Sequence, residues 1–223
     1  MCAHFQAPGQ PQAFQEHFGA QPPAGVRHTD IWPGHESAFI RRPPEADVGD
    51  EAVPEREALS GLFGLVPHWS RDLSLAKRTY NARSETAADK PSFRDAWRQA
   101  RHCIVPAEAI FEPDWRSGRA VATRIARADG RPMGLAGLWS QWVSPQGERV
   151  HSFTLLTINA DAHPLMQQFH KPGEEKRMVV VLPEARYDDW LKARPQDSGD
   201  FLRPYPAEAL SAHAPAASPS LFD

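Results

Sequence analysis

The strongest constraint on the fold of this chain is a series of short apolar segments separated by turn-forming residues. Strand-like runs lie at 62–69, 120–126, 133–143, 153–158 and 176–182, with turn signals at Asp129-Gly130 and at 145–147. Helical periodicity is confined to two or three segments, of which the clearest has Ser92 as a candidate N-cap before Phe93, Ala96, Trp97 and Ala100. Many short strands with few helices predict an α+β domain built on antiparallel sheet.

The two ends of the chain differ in composition from this central part. Residues 6–57 are rich in Pro, Gly, Gln and Ala, which favours loops around one or two strands. Pro183 is placed to open a helix with Tyr187, Trp190 and Leu191 on one face. From about residue 194 onward Pro, Ala and Ser dominate, which predicts a poorly packed tail. We therefore expect a single domain over residues 1–194 and a Pro/Ala-rich tail over residues 195–223.

Composition and charge exclude several classes of protein. A chain of 223 residues with 41% hydrophobic and 24% charged residues is typical of a soluble globular domain. Its net charge of -3 argues against a protein that coats nucleic acid non-specifically, while a binder of a few phosphates remains allowed. The sequence has no apolar run of membrane-spanning length and no signal or transit sequence, so we expect a cytoplasmic protein without membrane contact.

The cysteine content gives no sign of a metal centre. Only Cys2 and Cys103 are present, and no cluster of His or Asp accompanies them. Cys103 stands in an apolar stretch and is expected to be a small core residue in a reducing compartment. A glycine-rich phosphate loop is also missing from the sequence. We therefore expect neither a metal nor another cofactor.

Cys2 has unusual chemical potential, because removal of Met1 would leave it as the N-terminal residue. Such a cysteine carries an α-amine of pKa about 8 beside a thiol of pKa about 8.5. The amine can attack an aldehyde to form an iminium ion, and the thiol can then close a five-membered thiazolidine. Because the second step is intramolecular, its effective concentration can reach about 10⁵ M. On position alone, an incidental terminal residue is the simpler interpretation.

Three polar residues elsewhere could serve such chemistry. Asn81 and Arg83 lie in a polar stretch without periodicity, where an amide could orient a carbonyl and an arginine could hold a phosphate. A turn or a helix cap is the alternative for that stretch. Glu112 directly follows the apolar residues 109–111, and burial there would raise its pKa into the range useful for acid–base catalysis. The competing interpretation is a strand-end glutamate that points into water.

Loop residues allow a similar choice between function and structure. Trp69, which follows Pro67, could be an exposed wedge that stacks on a base or a core tryptophan at a strand end. Arg42 could belong to a basic loop over a ligand, although a solvated strand end is the simpler interpretation. Gly64 indicates a bulge or a close approach of two backbones.

Five separated stretches together resemble one protein family. They are Met1-Cys2, FGLVPHW at 63–69, NARSET at 81–86, RHCIVPAEAIFEPDW at 101–115 and HKPGEEKRMVVVL at 170–182. In this order they are similar to the SOS-response-associated peptidase (SRAP) family, whose members include abasic-site sensors of single-stranded DNA; the fourth resembles the family's RCLVPADGFYEW segment. The resemblance implies curved antiparallel sheets that form a barrel-like core with flanking helices and a positively charged cleft for single-stranded DNA.

The resemblance also implies roles for individual residues. Cys2 would form a thiazolidine with the ring-opened sugar of an abasic site, with Glu112 moving protons. Asn81 would bind the sugar or the Cys2 backbone, and His170 would assist at the sugar. The implied DNA contacts are phosphate binding by Arg83 and Arg177 and a wedge against the flanking bases formed by Trp69 and Pro67. The implied partner is single-stranded DNA with abasic sites, bound by a monomer that needs no cofactor.

The chain departs from the family pattern at two places, and its residues allow two other functions. The family commonly begins Met-Cys-Gly-Arg, whereas this chain has His4 at the arginine position, which removes a phosphate or base contact implied for that arginine. The segment between His170 and Arg177 is longer than the family's shortest form. Cys2 could instead be the nucleophile of a thiol peptidase limited to self-processing, with His170 or Glu112 as base. A non-catalytic binder of single-stranded nucleic acid, with Cys2 inert, is the other alternative.

Overall fold

The structure is a computed structural model that describes residues 2–26, 28–48 and 53–214. In these ranges the chain has three α-helices, namely α1 (Pro11–Phe18), α2 (Arg94–Arg98) and α3 (Tyr187–Lys192). It also has thirteen strands, which are β1 (His4–Gln6), β2 (Asp30–Ile31), β3 (Glu36–Arg41), β4 (Glu57–Phe63), β5 (Asn81–Arg83), β6 (His102–Ala107), β7 (Ala109–Asp114), β8 (Val121–Arg127), β9 (Met133–Val143), β10 (Arg149–Asn159), β11 (Arg177–Val179), β12 (Val181–Leu182) and β13 (Leu210–His213). None of the helices described is both long and apolar enough to cross a membrane.

Five of the strands close into a barrel. Going round the ring, β10 pairs with β4, β4 with β3, β3 with β6, β6 with β9, and β9 again with β10. Four of these pairings are antiparallel, whereas β10 runs parallel to β4 and also to the short β5. The expected α+β fold with a barrel-like core is confirmed, and in the described part of the chain the parallel pairings of β10 are the one departure from an all-antiparallel arrangement.

A second sheet, in the order β13–β8–β7–β1–β2, fixes the N-terminal residues against the barrel. β1 pairs with β7, so that His4 lies beside Phe111 and Phe5 beside Ile110. Phe5 is fully buried, and its ring meets that of Phe63 edge-on with the centroids 5.2 Å apart. Burial of a phenylalanine side chain contributes about 1.5–3 kcal/mol. Phe5 therefore holds the preceding residues in a defined position.

Aromatic side chains from three barrel strands build much of the core. Phe39, Phe63 and Phe153 are fully buried, and the rings of Phe63 and Phe153 stack with their centroids 5.5 Å apart. Cys103 is also fully buried, which confirms its expected place in the core. The Trp190 indole of α3 packs nearby and donates a hydrogen bond to the Cys103 carbonyl oxygen at 2.9 Å. This bond ties α3 to β6.

Gly64 marks the end of β4. Its φ is +121°, a conformation that residues with a Cβ rarely adopt, and an added Cβ would lie 2.0 Å from the Ala76 carbonyl oxygen. The close backbone approach expected at this glycine is confirmed. The strand expected over 62–69 is wrong beyond Phe63, because the chain turns away at Gly64 and continues as loop to residue 69.

Two helices differ from expectation. α1 forms inside the segment expected to hold loops and strands. It begins at Pro11 and ends at Phe18, and Gly19 caps it in the left-handed conformation. The helix expected after Ser92 is only five residues long, and Phe93 rather than Ser92 precedes it. Ala100, expected on its apolar face, lies beyond its end with φ of 50°.

Residues 195–213 pack against the rest of the molecule, so the loose tail expected from residue 194 is wrong for this stretch. Ser198 is fully buried, and its hydroxyl lies 2.9 Å from the ring Nε2 of the buried His102. β13 then pairs with β8 at the edge of the second sheet. The last nine residues of the expected tail, 215–223, lie outside the described part of the chain.

Candidate active site around Cys2

Cys2 lies just before β1 and is held by its backbone. The Asn81 side-chain amide on β5 donates a hydrogen bond of 2.7 Å to the Cys2 carbonyl oxygen. The Cys2 side chain is buried, with 1% of its surface exposed, and its Sγ donates weakly to the His4 carbonyl oxygen at 3.4 Å. Because the second sheet and β5 both contact this residue, Cys2 has a fixed place between the sheet and the barrel.

The surroundings of Cys2 keep its thiol protonated. Burial removes the thiol from water and raises its pKa well above the usual range, and the nearby negative charge of Glu112 raises it further. A thiolate is the nucleophilic form of cysteine. Reaction of this thiol therefore requires a base close enough to take its proton in the same step.

Glu112 is the candidate for that base. It lies on β7 with 1% of its surface exposed, so desolvation raises its carboxyl pKa to about 7. A carboxyl group with this pKa exists in both protonation states near neutral pH, which is the condition that general acid–base catalysis favours. The alternative of a strand-end glutamate pointing into water is wrong.

His170 lies beside this carboxyl group. Its Nδ1 is 3.6 Å from Glu112 Oε2, and its Nε2 lies 2.9 Å from the Arg177 carbonyl oxygen. A carbonyl can only accept, so Nε2 carries hydrogen, and in the neutral ring Nδ1 presents its lone pair to Glu112. Burial lowers the pKa of His170, which favours this neutral ring. His170 therefore presents a proton acceptor to Glu112 across 3.6 Å, a separation longer than a hydrogen bond.

The backbone fixes His170 in this position. Its φ of 63° is unusual for a residue with a side chain, and its N–H donates to the Pro113 carbonyl oxygen at 2.9 Å. Phe169, the preceding residue, forms a bridge with Asp114 of β7. Strain held at a buried polar residue is a recurring feature of functional sites.

Tyr80 also neighbours the site, although no motif in the sequence indicates a role for it. Burial raises the pKa of its hydroxyl, and Cys2 and Glu112 raise it further, so its hydroxyl stays protonated beside them. Its position next to Asn81 was the available signal. Asn81 itself has a buried Oδ1 without a hydrogen-bond partner among the described residues, so this oxygen is free to accept from a substrate hydroxyl.

The two arginines expected to hold phosphates differ in accessibility. Arg83 is exposed, and its Nη1 pairs with Glu175 Oε2 at 2.9 Å; such surface pairs contribute little and exchange readily. Arg177 is 3% exposed and donates to Glu85, Glu175 and Thr157, all within 3.2 Å. Direct phosphate binding by Arg177 is not supported by these contacts, because its buried guanidinium is occupied by two partly exposed carboxylates and by Thr157.

The loop residues that are expected to contact DNA also differ in their exposure to solvent. Trp69 is 47% exposed and available for stacking, whereas Pro67 is buried and can support the loop without itself reaching a base. Arg42 is half-buried, and its Nη2 lies 3.4 Å from the Ala46 carbonyl oxygen. Arg42 lines a cavity of about 500 Å³ to which Cys2 and Glu112 do not contribute.

His4 does not point freely into solvent. Its ring lies between the rings of Trp32 and Phe111, with both centroid distances 4.1 Å and interplanar angles of 12° and 11°. Its Nε2 lies 2.7 Å from the Asp30 carboxylate. His4 therefore occupies the position of the family arginine as part of a stack.

Curated relatives and solved structures resemble this chain. Abasic site processing protein YoqW of Bacillus subtilis (strain 168) is 30% identical over 157 residues, which are 68% of this chain and 66% of the relative. Abasic site processing protein HMCES of Rattus norvegicus is 25% identical over 148 residues, which are 52% of this chain and 40% of the relative. The chain thus matches just under two thirds of the length of the bacterial relative and two fifths of the mammalian one.

The solved structures extend the similarity to the fold. A protein from Bordetella bronchiseptica is 50% identical with a TM-score of 0.86, covering 96% of this chain and 99% of that one. A protein from Bacteroides thetaiotaomicron, 21% identical, has the same fold with a TM-score of 0.79 over 96% and 91% of the two chains. The model of the SOS response associated peptidase family matches residues 1–217. This match confirms the resemblance carried by the five motifs, and the chain belongs to the SOS response associated peptidase (SRAP) family.

Proposed function

We propose that this chain is an abasic-site processing protein that binds single-stranded DNA and captures the abasic sugar covalently through Cys2 after loss of Met1. The relatives named as abasic site processing proteins support this function. The observation that carries it is the meeting of Cys2 with Asn81, Glu112 and His170 in one buried place. We further propose that the protein acts as a cytoplasmic monomer.

The proposed reaction needs no other reactant. Glu112 takes a proton from the Cys2 ammonium group and gives one to the ring oxygen of the hydroxy-sugar, whose bond to C1 breaks. The C1 hydroxyl becomes the aldehyde oxygen, and the proton that it loses later leaves in the released water. The amine attacks the aldehyde carbon, and loss of one water leaves an iminium ion. The thiol then adds its sulfur to that carbon while its proton passes to Glu112. One C–N and one C–S bond form, and one water is released.

The electrostatics of the site support this order of steps. The thiol stays protonated in the free protein because burial and Glu112 raise its pKa. It is therefore protected from premature reaction and depends on Glu112, whose pKa of about 7 lets it accept the proton. His170, whose Nδ1 faces Glu112 Oε2 at 3.6 Å, would help to orient the sugar beside this carboxyl group. Asn81, through its free Oδ1, would orient a sugar hydroxyl.

A cross-linking experiment tests the proposal. The protein is incubated with a single-stranded oligonucleotide that contains one abasic site, and denaturing gels reveal any stable adduct. We expect an adduct with the wild-type chain, none with Cys2→Ser or with Met1 retained, and an unchanged adduct with the matched control Cys103→Ala. An adduct that survives both Cys2→Ser and retention of Met1 would refute the scheme.

The same pairing of a buried thiol with a titrating carboxyl group also supports removal of Met1 by the chain itself. In this second activity Cys2 or a water molecule attacks the Met1 carbonyl with Glu112 as base. Intact-mass measurement of freshly made Glu112→Gln should then show Met1 still attached, in contrast to the exposed control Glu148→Gln. Complete loss of Met1 from Glu112→Gln would show that another enzyme removes it.

A further inference from the structure

A row of flat and basic side chains crosses the second sheet from strand to strand. His213 on β13 is paired with Arg124 on β8, Arg124 with Phe111 on β7, and Phe111 with His4 on β1. Trp32, directly after β2, completes the row by stacking on His4. We call these five residues, His213, Arg124, Phe111, His4 and Trp32, the stacking row.

The stacking row faces outward. Directly paired residues of neighbouring strands share one face of a sheet, and alternate residues point to the opposite face. The alternate residues Phe5, Ile110 and Ile125 are at most 3% exposed and belong to the core. All members of the stacking row are half-buried or exposed, and Trp32 is 46% exposed. The sheet therefore presents one apolar face to the barrel and the stacking row to solvent.

The geometry points to a further nucleic-acid contact: we propose that Trp32 stacks on an unpaired nucleobase near the abasic site and that Arg124 binds a neighbouring phosphate. This inference rests on the proposed function and extends it to residues that the family motifs do not include. Phe111, His4 and Trp32 already form a three-ring stack of nearly parallel planes. A base on the outer face of Trp32 would continue this stack.

Trp32 is held rigidly for such a contact. It begins a tight turn in which the His35 N–H donates to the Trp32 carbonyl oxygen at 2.9 Å. Gly34, with φ of 94°, allows the turn, and its N–H donates to the Phe63 carbonyl oxygen at 2.7 Å. A rigid aromatic side chain loses little conformational entropy when it binds.

The charges along the stacking row fit a strand of nucleic acid, which offers both flat bases and phosphates. Arg124 makes no ion pair with any residue in the described ranges, and its Nη2 has only a long contact of 3.5 Å with Gln6 Oε1. Among the residues that the structure describes, Asp30 is the one carboxylate that pairs with the row, and it engages His4. The row shares β7 with Glu112, which points to the buried face of the sheet, and its member His4 is two residues from Cys2. A single strand leaving the abasic site is therefore the occupant that this surface favours.

Binding to a series of oligonucleotides that each lack one base tests the stacking of Trp32. The protein carries Cys2→Ser, so that only non-covalent binding is measured, and the oligonucleotides carry one tetrahydrofuran analogue of the abasic site. In each oligonucleotide one further position within about four nucleotides of the analogue also lacks its base. We expect loss of the base at one position to weaken binding about tenfold, a typical effect of one stacked base. Trp32→Ala should abolish this dependence and Trp32→Phe should retain most of it.

Two other results of this series would overturn the stacking contact. One is a loss of affinity in Trp32→Ala that is equal for every oligonucleotide. The other is that Trp32→Ala binds every oligonucleotide as tightly as the protein with Trp32 intact. Val143→Ala, which truncates another exposed apolar side chain at 54% exposure, is the matched control and should change nothing.

Salt dependence tests the phosphate contact. Loss of one phosphate contact to a single strand lowers the slope of log K against log salt by about 0.7. We expect this change in Arg124→Gln and none in Arg116→Gln, where the exposed arginine already pairs with Asp114. An unchanged slope in Arg124→Gln would overturn the phosphate contact.

Cross-linking with Cys2 intact separates this inference from the proposed function. If the wild-type chain forms the adduct but the binding series gives either of the two contrary results for Trp32→Ala, only the stacking contact is overturned. No adduct with the wild-type chain would instead overturn the proposed function, whatever the binding series shows.

Discussion

Replacement of Glu112 by Gln tests the electrostatics of the site through protein stability. A buried carboxyl group whose pKa is raised favours the folded state only while it is protonated. Its contribution is fully present below the unfolded pKa of 4.5 and is lost as the pH rises through the folded value of about 7. Glutamine has nearly the same shape and does not ionise, so Glu112→Gln should escape this loss.

The size of the effect follows from the two pKa values of Glu112. Their difference of about 2.5 pH units corresponds to about 3 kcal/mol, at 1.36 kcal/mol for each unit. The linkage relation places about 2–3 kcal/mol of this between pH 5 and pH 8. Relative to wild type, the free energy of unfolding of Glu112→Gln should therefore be about 2–3 kcal/mol larger at pH 8 than at pH 5.

Urea unfolding at pH 5 and pH 8, followed by tryptophan fluorescence, measures this difference. Comparison of variant and wild type removes the contributions of the other titrating groups to a first approximation. Glu148→Gln, which alters an exposed carboxylate, is the matched control and should show a difference below about 0.5 kcal/mol at both pH values. A difference between Glu112→Gln and wild type that stays the same at both pH values would show that the fold does not raise the pKa of Glu112.

Three further outcomes are expected. Gly64→Ala should destabilise the protein by more than about 3 kcal/mol in urea unfolding, because the new Cβ would collide with the Ala76 carbonyl. The control Gly147→Ala, with φ of 86° and open space around it, should cost about 1–2 kcal/mol, and equal losses for the two variants would contradict this reasoning. Asn81→Ala removes the hydrogen bond to the Cys2 backbone, so it should cost about 1 kcal/mol of stability and slow cross-linking at least tenfold in a gel time course. An unchanged cross-linking rate would show that Asn81 does not position Cys2. Binding of single-stranded DNA should weaken with a log–log salt slope of about -2, as about three neutralised phosphates require; a slope steeper than about -5 would contradict the small footprint expected of a chain with net charge -3.

Local patterns in the sequence anticipated much of the fold. The span of β9 agrees with the run expected at 133–143, and the buried face of α3 carries the expected Tyr187, Trp190 and Leu191. These elements could be read because their apolar residues repeat with the period of a strand or a helix. Gly64 was readable for a related reason, since a glycine inside an apolar run indicates a backbone constraint.

Contacts between distant segments could not be read in this way. Arg177 was expected near phosphate, but Glu85 lies 92 positions earlier in the chain and occupies its guanidinium in the folded protein. The stack of Trp32, His4 and Phe111 joins β1, β7 and the residue after β2, and no local pattern specifies the pairing of these strands. Loose packing after residue 194 was inferred from composition, which does not reveal that β13 pairs with β8.

The candidate site was found through the family motifs rather than through local patterns. Cys2, Asn81, Glu112 and His170 each had an ordinary structural interpretation when considered alone. Their burial and mutual contacts give Glu112 a pKa of about 7 and leave the Cys2 thiol protonated, and neither property is visible before the segments meet. Both properties depend on desolvation in the folded protein, so they could not be predicted from the sequence.

Mass spectrometry of the DNA adduct is the most direct test of the central claim that Cys2 captures the abasic sugar with both its nitrogen and its sulfur. We expect an intact mass equal to protein without Met1 plus oligonucleotide minus one water, located on residue 2 after digestion and unchanged by borohydride because a thiazolidine has no imine to reduce. An adduct that gains two hydrogens with borohydride, or that maps to any other residue, would contradict the account.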